Sequence, residues 1–177
     1  MCYHKKERKV VSVRILGIDP GYGITGFGLI EAEKNQYKLL RCGAITTPAG
    51  MDFSARLEII YNDMTALLQV AKPDAVAIEE LFFGQNVTTG IGVAQSRGVI
   101  LLAIRQAGLE VTAYKPMQVT QAVVGYGNAT KHQVQDRTKR LLGLSAMPKP
   151  DDAADAIAIA LCHGRSSTSL LAQVQKK

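Results

Sequence analysis

Residues 14–28, Arg-Ile-Leu-Gly-Ile-Asp-Pro-Gly-Tyr-Gly-Ile-Thr-Gly-Phe-Gly, constrain the fold of this chain more than any other stretch. They open as a short apolar run without polar alternation (Ile15, Leu16, Ile18), the pattern of a strand covered on both faces. Asp19-Pro20-Gly21 then breaks the strand, because proline fixes φ and glycine frees it. Asp19 is therefore expected at the carboxyl end of a central strand, where ligands and catalytic groups gather in open α/β sheets. An aspartate in such a tripeptide can also serve only to start the turn. The remainder of the chain decides between these roles.

Residues 25–31 and 37–46 read as two further strands joined by a polar turn, a meander leading away from the first strand. In residues 53–71, Phe53, Leu57, Ile60, Met64, Leu67 and Ala71 recur at spacings of four and three, the clearest helix in the sequence. It stops before Pro73 and is followed by the apolar strand 75–79, which ends in Glu79. A crossover helix between strands implies parallel pairing. Asp19 and Glu79 are then expected to end neighbouring strands at the same edge.

Residues 87–107 read as a long helix rich in small side chains, a composition that suggests close approach of another backbone such as a second subunit. A fifth strand (109–114), a short helix to Val124, a helix from about Ala129 to Leu142 and a helix from Asp152 to about Gly164 complete the body. Residues 1–13 are expected to be a disordered basic extension, residues 14–164 one domain, and residues 165–177 a flexible tail. No apolar run approaches a membrane span and no signal-peptide pattern opens the chain. Cys2, Cys42 and Cys162 are odd in number and lack metal-ligand spacing, so they read as reduced thiols of a cytoplasmic protein.

The net charge of +6 points to an acidic partner, but its distribution says more. Lys5, Lys6, Arg8 and Lys9 against Glu7 at one end, with Arg165, Lys176 and Lys177 at the other, account for the excess and leave the body neutral. Within the body, residues 97–140 are strongly basic, with Arg97, Arg137 and Arg140 read as DNA contacts, beside a half that carries the carboxylates.

Asp152 and Asp155 lie three apart and share one helix face. Acids in a first helical turn can merely favour the dipole. Asp155, however, sits among Ala153, Ala154, Ala156, Ile157, Ala158 and Ile159, so its helix is largely buried and its carboxylate needs a partner. The helix itself holds no Lys or Arg to supply one, and a metal ion would. If that helix packs near the strand ends, Asp19, Glu79, Asp152 and Asp155 form one cluster that repels itself unless cations occupy it. An all-oxygen set selects Mg²⁺ or Mn²⁺, and two such ions would suit phosphodiester hydrolysis.

Five segments in order carry a family likeness: Arg-Ile-Leu-Gly-Ile-Asp-Pro-Gly, Ala-Ile-Glu-Glu-Leu-Phe-Phe, Ala-Gln-Ser-Arg-Gly-Val, Val-Val-Gly-Tyr-Gly-Asn-Ala-Thr-Lys and Asp-Asp-Ala-Ala-Asp-Ala-Ile-Ala-Ile-Ala. The chain resembles the RuvC Holliday junction resolvases over about residues 14–164. The resemblance implies a ribonuclease-H-like α/β fold, a five-stranded mixed sheet with helices on both faces. It implies a homodimer that nicks opposite strands of a four-way DNA junction, two Mg²⁺ per site with Mn²⁺ as a substitute, and cooperation with the RuvA–RuvB branch-migration complex. The family's four catalytic and metal-binding carboxylates fall on Asp19, Glu79, Asp152 and Asp155, its base-stacking loop aromatic on Phe82, and its phosphate-binding lysine on Lys131. The loop before Lys131 also offers backbone N–H groups to a phosphate. Another family lysine aligns with Thr120, so one DNA contact is missing. His132 and His163 have no evident partner, and His163 reads as structural. Two other readings compete: an actin-like or sugar-kinase-type phosphotransferase, which would need a second lobe, and a catalytically silent junction-binding protein, which would not need four acids.

Overall fold

The structure, a computed structural model, describes residues 12–81 and 87–174. Ten elements follow one another as β1 (Val13–Asp19), β2 (Ile24–Glu33), β3 (Gln36–Thr46), α1 (Phe53–Ala71), β4 (Ala75–Glu79), α2 (Val87–Gln106), β5 (Val111–Tyr114), α3 (Pro116–Val124), α4 (Lys131–Leu141) and α5 (Asp151–Val174). The strands form one mixed sheet in the order β3-β2-β1-β4-β5. The meander β1-β2-β3 is antiparallel, and β1, β4 and β5 run parallel.

Side chains of a strand alternate between faces, and the buried residues of β1 and β4 sort accordingly. Leu16, Ile18, Val76 and Ile78 pack with Ile60 and Met64 of α1 and Ile100 and Ile104 of α2. Ile15 and Ala77 face the other way, onto Ile157 and Leu161 of α5 and Val119 and Val123 of α3. Asp19 and Glu79 continue the second series. Parity alone thus turns both acids toward α5.

Between these side chains, glycines of β1 and β2 leave a groove on the α5 face of the sheet. Gly17 pairs with Gly28, and Asp19 with Gly26, across β1 and β2. A methyl group at Gly17 would stand 2.0 Å from the carbonyl oxygen of Ala156, and one at Gly26 2.0 Å from that of Asp152. Glycine is required there because the α5 backbone lies directly on the sheet. Ala153, Ala156 and Ala160 are fully buried on the helix side of that contact.

Helix boundaries follow local chemistry. Asp52 caps α1 by accepting from the N–H groups of Ser54 and Ala55, and Lys72 ends it in the left-handed region at φ 43°. The fourth helix begins at Lys131, two residues later than the sequence suggested, because Thr130 and Gln133 form a reciprocal capping box. The fifth strand starts at Val111, not 109, since the Leu109 N–H still closes α2 onto Ile104. The segment from Arg165, expected as a flexible tail, continues α5 as helix to Val174. No proline or glycine interrupts residues 165–174, and an established helix extends at little cost.

Candidate functional site

The register sets Ile18 beside Ile78, so Asp19 and Glu79 leave neighbouring parallel strands at one edge of the sheet. The first turns of α5, seated on the glycine groove, bring Asp152 and Asp155 to the same edge. Burial, reinforced by the charges of Glu79, Asp155 and Asp152, pushes the Asp19 carboxyl up to about 7. Burial and the Asp155 carboxylate raise Glu79 as well. Sequence spacing had selected these four acids for one cluster, and the structure brings them together.

Their partner is a lysine the spacing argument did not supply. The Lys131 ammonium donates to Asp155 Oδ2 at 2.8 Å and lies 3.8 Å from Asp151 Oδ2. Lys149 Nζ stands 3.4 Å from the other oxygen of Asp151. The sequence offers no Lys or Arg within the expected helix of Asp155 and points to a metal ion; in the structure α4 carries a cation that reaches it. The hydrogen bond to Asp155 in turn raises the Lys131 ammonium above its ordinary pKa. Among the described residues, no three His, Cys, Asp or Glu side chains are grouped so as to enclose an ion as they lie. The donor set nevertheless fits a hard divalent cation: every ligand is a carboxylate, and Asp19 is held against ionisation chiefly by burial and then by its acidic neighbours.

A cleft of about 270 Å³ opens beside the acids, lined by Glu79, Asp155, Lys131, Thr120, Pro116 and Ala129, among others. Thr120, on α3, spends its hydroxyl on the Pro116 carbonyl one turn back. It lines the cleft, at the position to which the resemblance assigns a family lysine.

The turn after Asp19 is fastened from three elements. The carbonyl of Gly21 accepts from Thr25 on β2 and from the buried Ser96 on α2 at 3.0 Å. Tyr22 is covered by the Arg56 guanidinium at 4.9 Å and by the tilted Phe53 ring, while its carbonyl accepts from Thr47. Sequence reasoning missed Thr25, Thr47, Arg56 and Ser96, whose roles depend on neighbours distant in the chain.

Of the expected DNA contacts, Arg97 is half-buried and donates to the Glu79 carbonyl at 3.1 Å, so it ties α2 to the end of β4. Arg140 pairs with Asp136 at 3.0 Å on the surface of α4, and Arg137 is exposed on the same helix. Phe82 lies outside the described residues. His163, expected without a partner, meets the Tyr114 hydroxyl at 2.9 Å, and burial lowers its pKa. Its reading as a structural residue is consistent with that contact.

Comparison with known proteins places this geometry. The family described as "Crossover junction endodeoxyribonuclease RuvC" matches residues 15–163. A relative of that name in Heliobacterium modesticaldum is 54% identical over 154 residues, 87% of this chain and 95% of the relative. One in Ruminiclostridium cellulolyticum is 51% identical over 152 residues, 86% of this chain and 92% of the relative. The solved structure of Thermus thermophilus RuvC in complex with Holliday junction substrate superposes with a TM-score of 0.83 at 35% identity, covering 88% of this chain and 94% of that one. The fold is therefore ribonuclease-H-like, and by sequence and structure alike the chain belongs to the RuvC family of crossover junction endodeoxyribonucleases.

Proposed function

We propose that this chain resolves four-way (Holliday) DNA junctions by metal-dependent hydrolysis, cutting opposite strands in recombination and repair, and that Asp19, Glu79, Asp152 and Asp155 are its catalytic ligands. The observation that carries this is the convergence of four carboxylates on one sheet edge, with Asp19 pushed up to about 7. Two Mg²⁺ held there, with Mn²⁺ as a substitute, would activate water and stabilise the leaving oxygen. The protein's part is to hold the four acids on a rigid sheet and helix, to direct Lys131 at phosphate, and to fix the Asp19 turn. Phe82 is proposed to stack on an unpaired base near the crossover, a contact of about 1–3 kcal/mol. Arg137 and Arg140, on the exposed face of α4, extend the basic path, and residues 1–12 add a less selective arm. We propose a cytoplasmic location, and cooperation with the RuvA–RuvB complex as the family resemblance implies. Incubation with a mobile synthetic junction and Mg²⁺, with nicks mapped on all four strands, tests the reading. Symmetric paired nicks are expected, whereas DNA-independent ATP hydrolysis would favour a phosphotransferase.

Paired nicks need two sites in fixed relation, which a symmetric dimer supplies. The outer face of α2 supports that assembly: Ile91 and Leu102 are more than half exposed, and a side chain at Gly98 between them would meet nothing within 4 Å of its own chain. Gly98→Leu is expected to give monomers by light scattering and unpaired nicks on the junction. A normal dimer cutting both strands in concert would refute the placement.

Thr120→Lys is expected to tighten junction binding without changing which sequence is cut, because phosphate contacts position the protein and do not read bases. One added lysine–phosphate contact steepens the salt dependence of log K by about 0.9. Affinity should be measured against salt with and without residues 1–12. An unchanged slope in both backgrounds would mean that residue 120 does not face DNA.

A further inference from the structure

We propose that Lys131 is an exchangeable internal counter-ion: its ammonium holds Asp155 before the acids are loaded with metal and is released toward the DNA phosphate when they are. The proposal rests on the reading of the four acids as cation ligands. Among the described residues, the only ion pair made by any of them is the 2.8 Å contact between Lys131 and Asp155. That bond engages Asp155, and among the described residues no three acids are grouped so as to enclose an ion.

Three features make the bond one that exchanges. The Lys131 side chain is 54% exposed, and exposed ion pairs contribute little, so a divalent cation competes with it readily. Lys131 is also the first residue of α4, where the helix dipole disfavours positive charge. Helix stability is therefore not what places an ammonium there. Finally, Asp151 offers a second perch 3.8 Å from Nζ and outside the four acids. The released ammonium stays beside the cleft that Thr120 also lines. Loading and phosphate contact are thereby linked: Lys131 is free for DNA only in the loaded protein, and linkage makes the coupling reciprocal.

The test uses the full chain and Mn²⁺ as the probe, by calorimetry without DNA. Lys131→Met removes the competing cation and is expected to tighten Mn²⁺ binding about three- to tenfold. Lys131→Arg, which keeps the charge, should stay within about twofold of the parent. Asp19→Asn and Asp155→Asn report on the site itself and should weaken Mn²⁺ binding. If they do and Lys131→Met binds Mn²⁺ no more tightly than the parent, the exchange is overturned and the metal site stands. If the two Asn variants bind like the parent, the metal-site reading itself fails, and the exchange with it. The second readout is junction affinity against salt, in EDTA and in Ca²⁺. The slope difference between parent and Lys131→Met should be about 0.9 in Ca²⁺ and near zero in EDTA. Equal differences in both buffers would show that Lys131 contacts phosphate regardless of loading and would overturn the proposal. Melting curves verify folding, and Lys131→Gln repeats the measurement with a second neutral side chain.

Discussion

Asp19→Asn is expected to abolish Mg²⁺-dependent nicking of a four-way junction, a loss of at least about 10³-fold, while junction binding in metal-free or Ca²⁺ buffer stays nearly intact. The amide keeps the shape of the carboxylate and loses the charge that the proposed two-cation site needs. Asp19 is the acid most enclosed by the others, with Glu79, Asp155 and Asp152 all acting on it, so its neutralisation takes most from the cluster. A stability change of opposite sign accompanies the lost activity. The Asp19 pKa is raised from 3.8 to about 7 in the folded chain. A raised carboxyl stabilises the fold fully below its unfolded pKa, and that stabilisation is lost as pH rises through the folded value. In metal-free buffer the parent should therefore lose stability between about pH 4 and pH 7, by up to about 4 kcal/mol. Asn does not titrate and escapes the loss. The variant should then melt above the parent at pH 8 and not at pH 4. Cleavage within tenfold of the parent would sink the assignment, and an unchanged melting difference across that range would show that Asp19 ionises freely. Glu79→Gln, Asp152→Asn and Asp155→Asn should lose nicking in the same assay.

Gly26→Ala is expected to be among the most damaging single methyl additions in the chain, although residue 26 bears no chemistry. Its Cβ would lie 2.0 Å from the carbonyl oxygen of Asp152 and 3.0 Å from the Ala153 nitrogen. These are backbone atoms of a buried helix and cannot swing aside, so α5 as a whole must lift from β2. Overpacking of this kind costs about 1–3 kcal/mol and sometimes more; with backbone as the obstacle, about 3 kcal/mol or more is expected. The displaced residue is Asp152, and a misplacement of about 1 Å can cost 10²-fold in rate. Denaturant melts and nicking rates should fall together. The same substitution at Gly98, which faces open space on α2, serves as the comparison: as a monomer it should gain about 1 kcal/mol from helix propensity. A Gly26→Ala protein with parental stability and rate would mean that α5 does not rest on the sheet there.

The parts legible in the sequence were those encoded by local period and punctuation. The apolar run before Asp19, the four-and-three spacing of α1 and the near-continuous apolar face of α5 each fixed an element, and the strand ends located Asp19 and Glu79. The helix spacing of Asp152 and Asp155 located the other two acids. What escaped depends on distance in space. Glycines in a strand usually signal a bulge or a weak point, and only the docked α5 shows Gly17, Gly26 and Gly28 to be a seat for a helix. Lys131 looked like a phosphate ligand because its loop does; that it reaches Asp155 follows from how α4 packs beside α5. Arg97 read as one of a basic group, yet its Nε is spent on the backbone of Glu79. Tyr114 and His163 meet across β5 and α5, a pairing that no residue spacing could announce.

The seating of α5 on the first two strands also sets when the nuclease can exist. Asp19 and Glu79 leave the ribosome early, but Asp152 and Asp155 are near the end of the chain, and the groove that receives them stays bare until α5 is made. Chains grow at about 5–20 residues per second, so for several seconds a nascent protein holds only two of the four proposed ligands. Products of interrupted synthesis that stop before α5 therefore carry the basic segment of residues 97–140 but lack Asp152 and Asp155. On the proposed assignment of the four acids, hydrolysis of DNA waits for a chain whose α5 has docked on the first two strands.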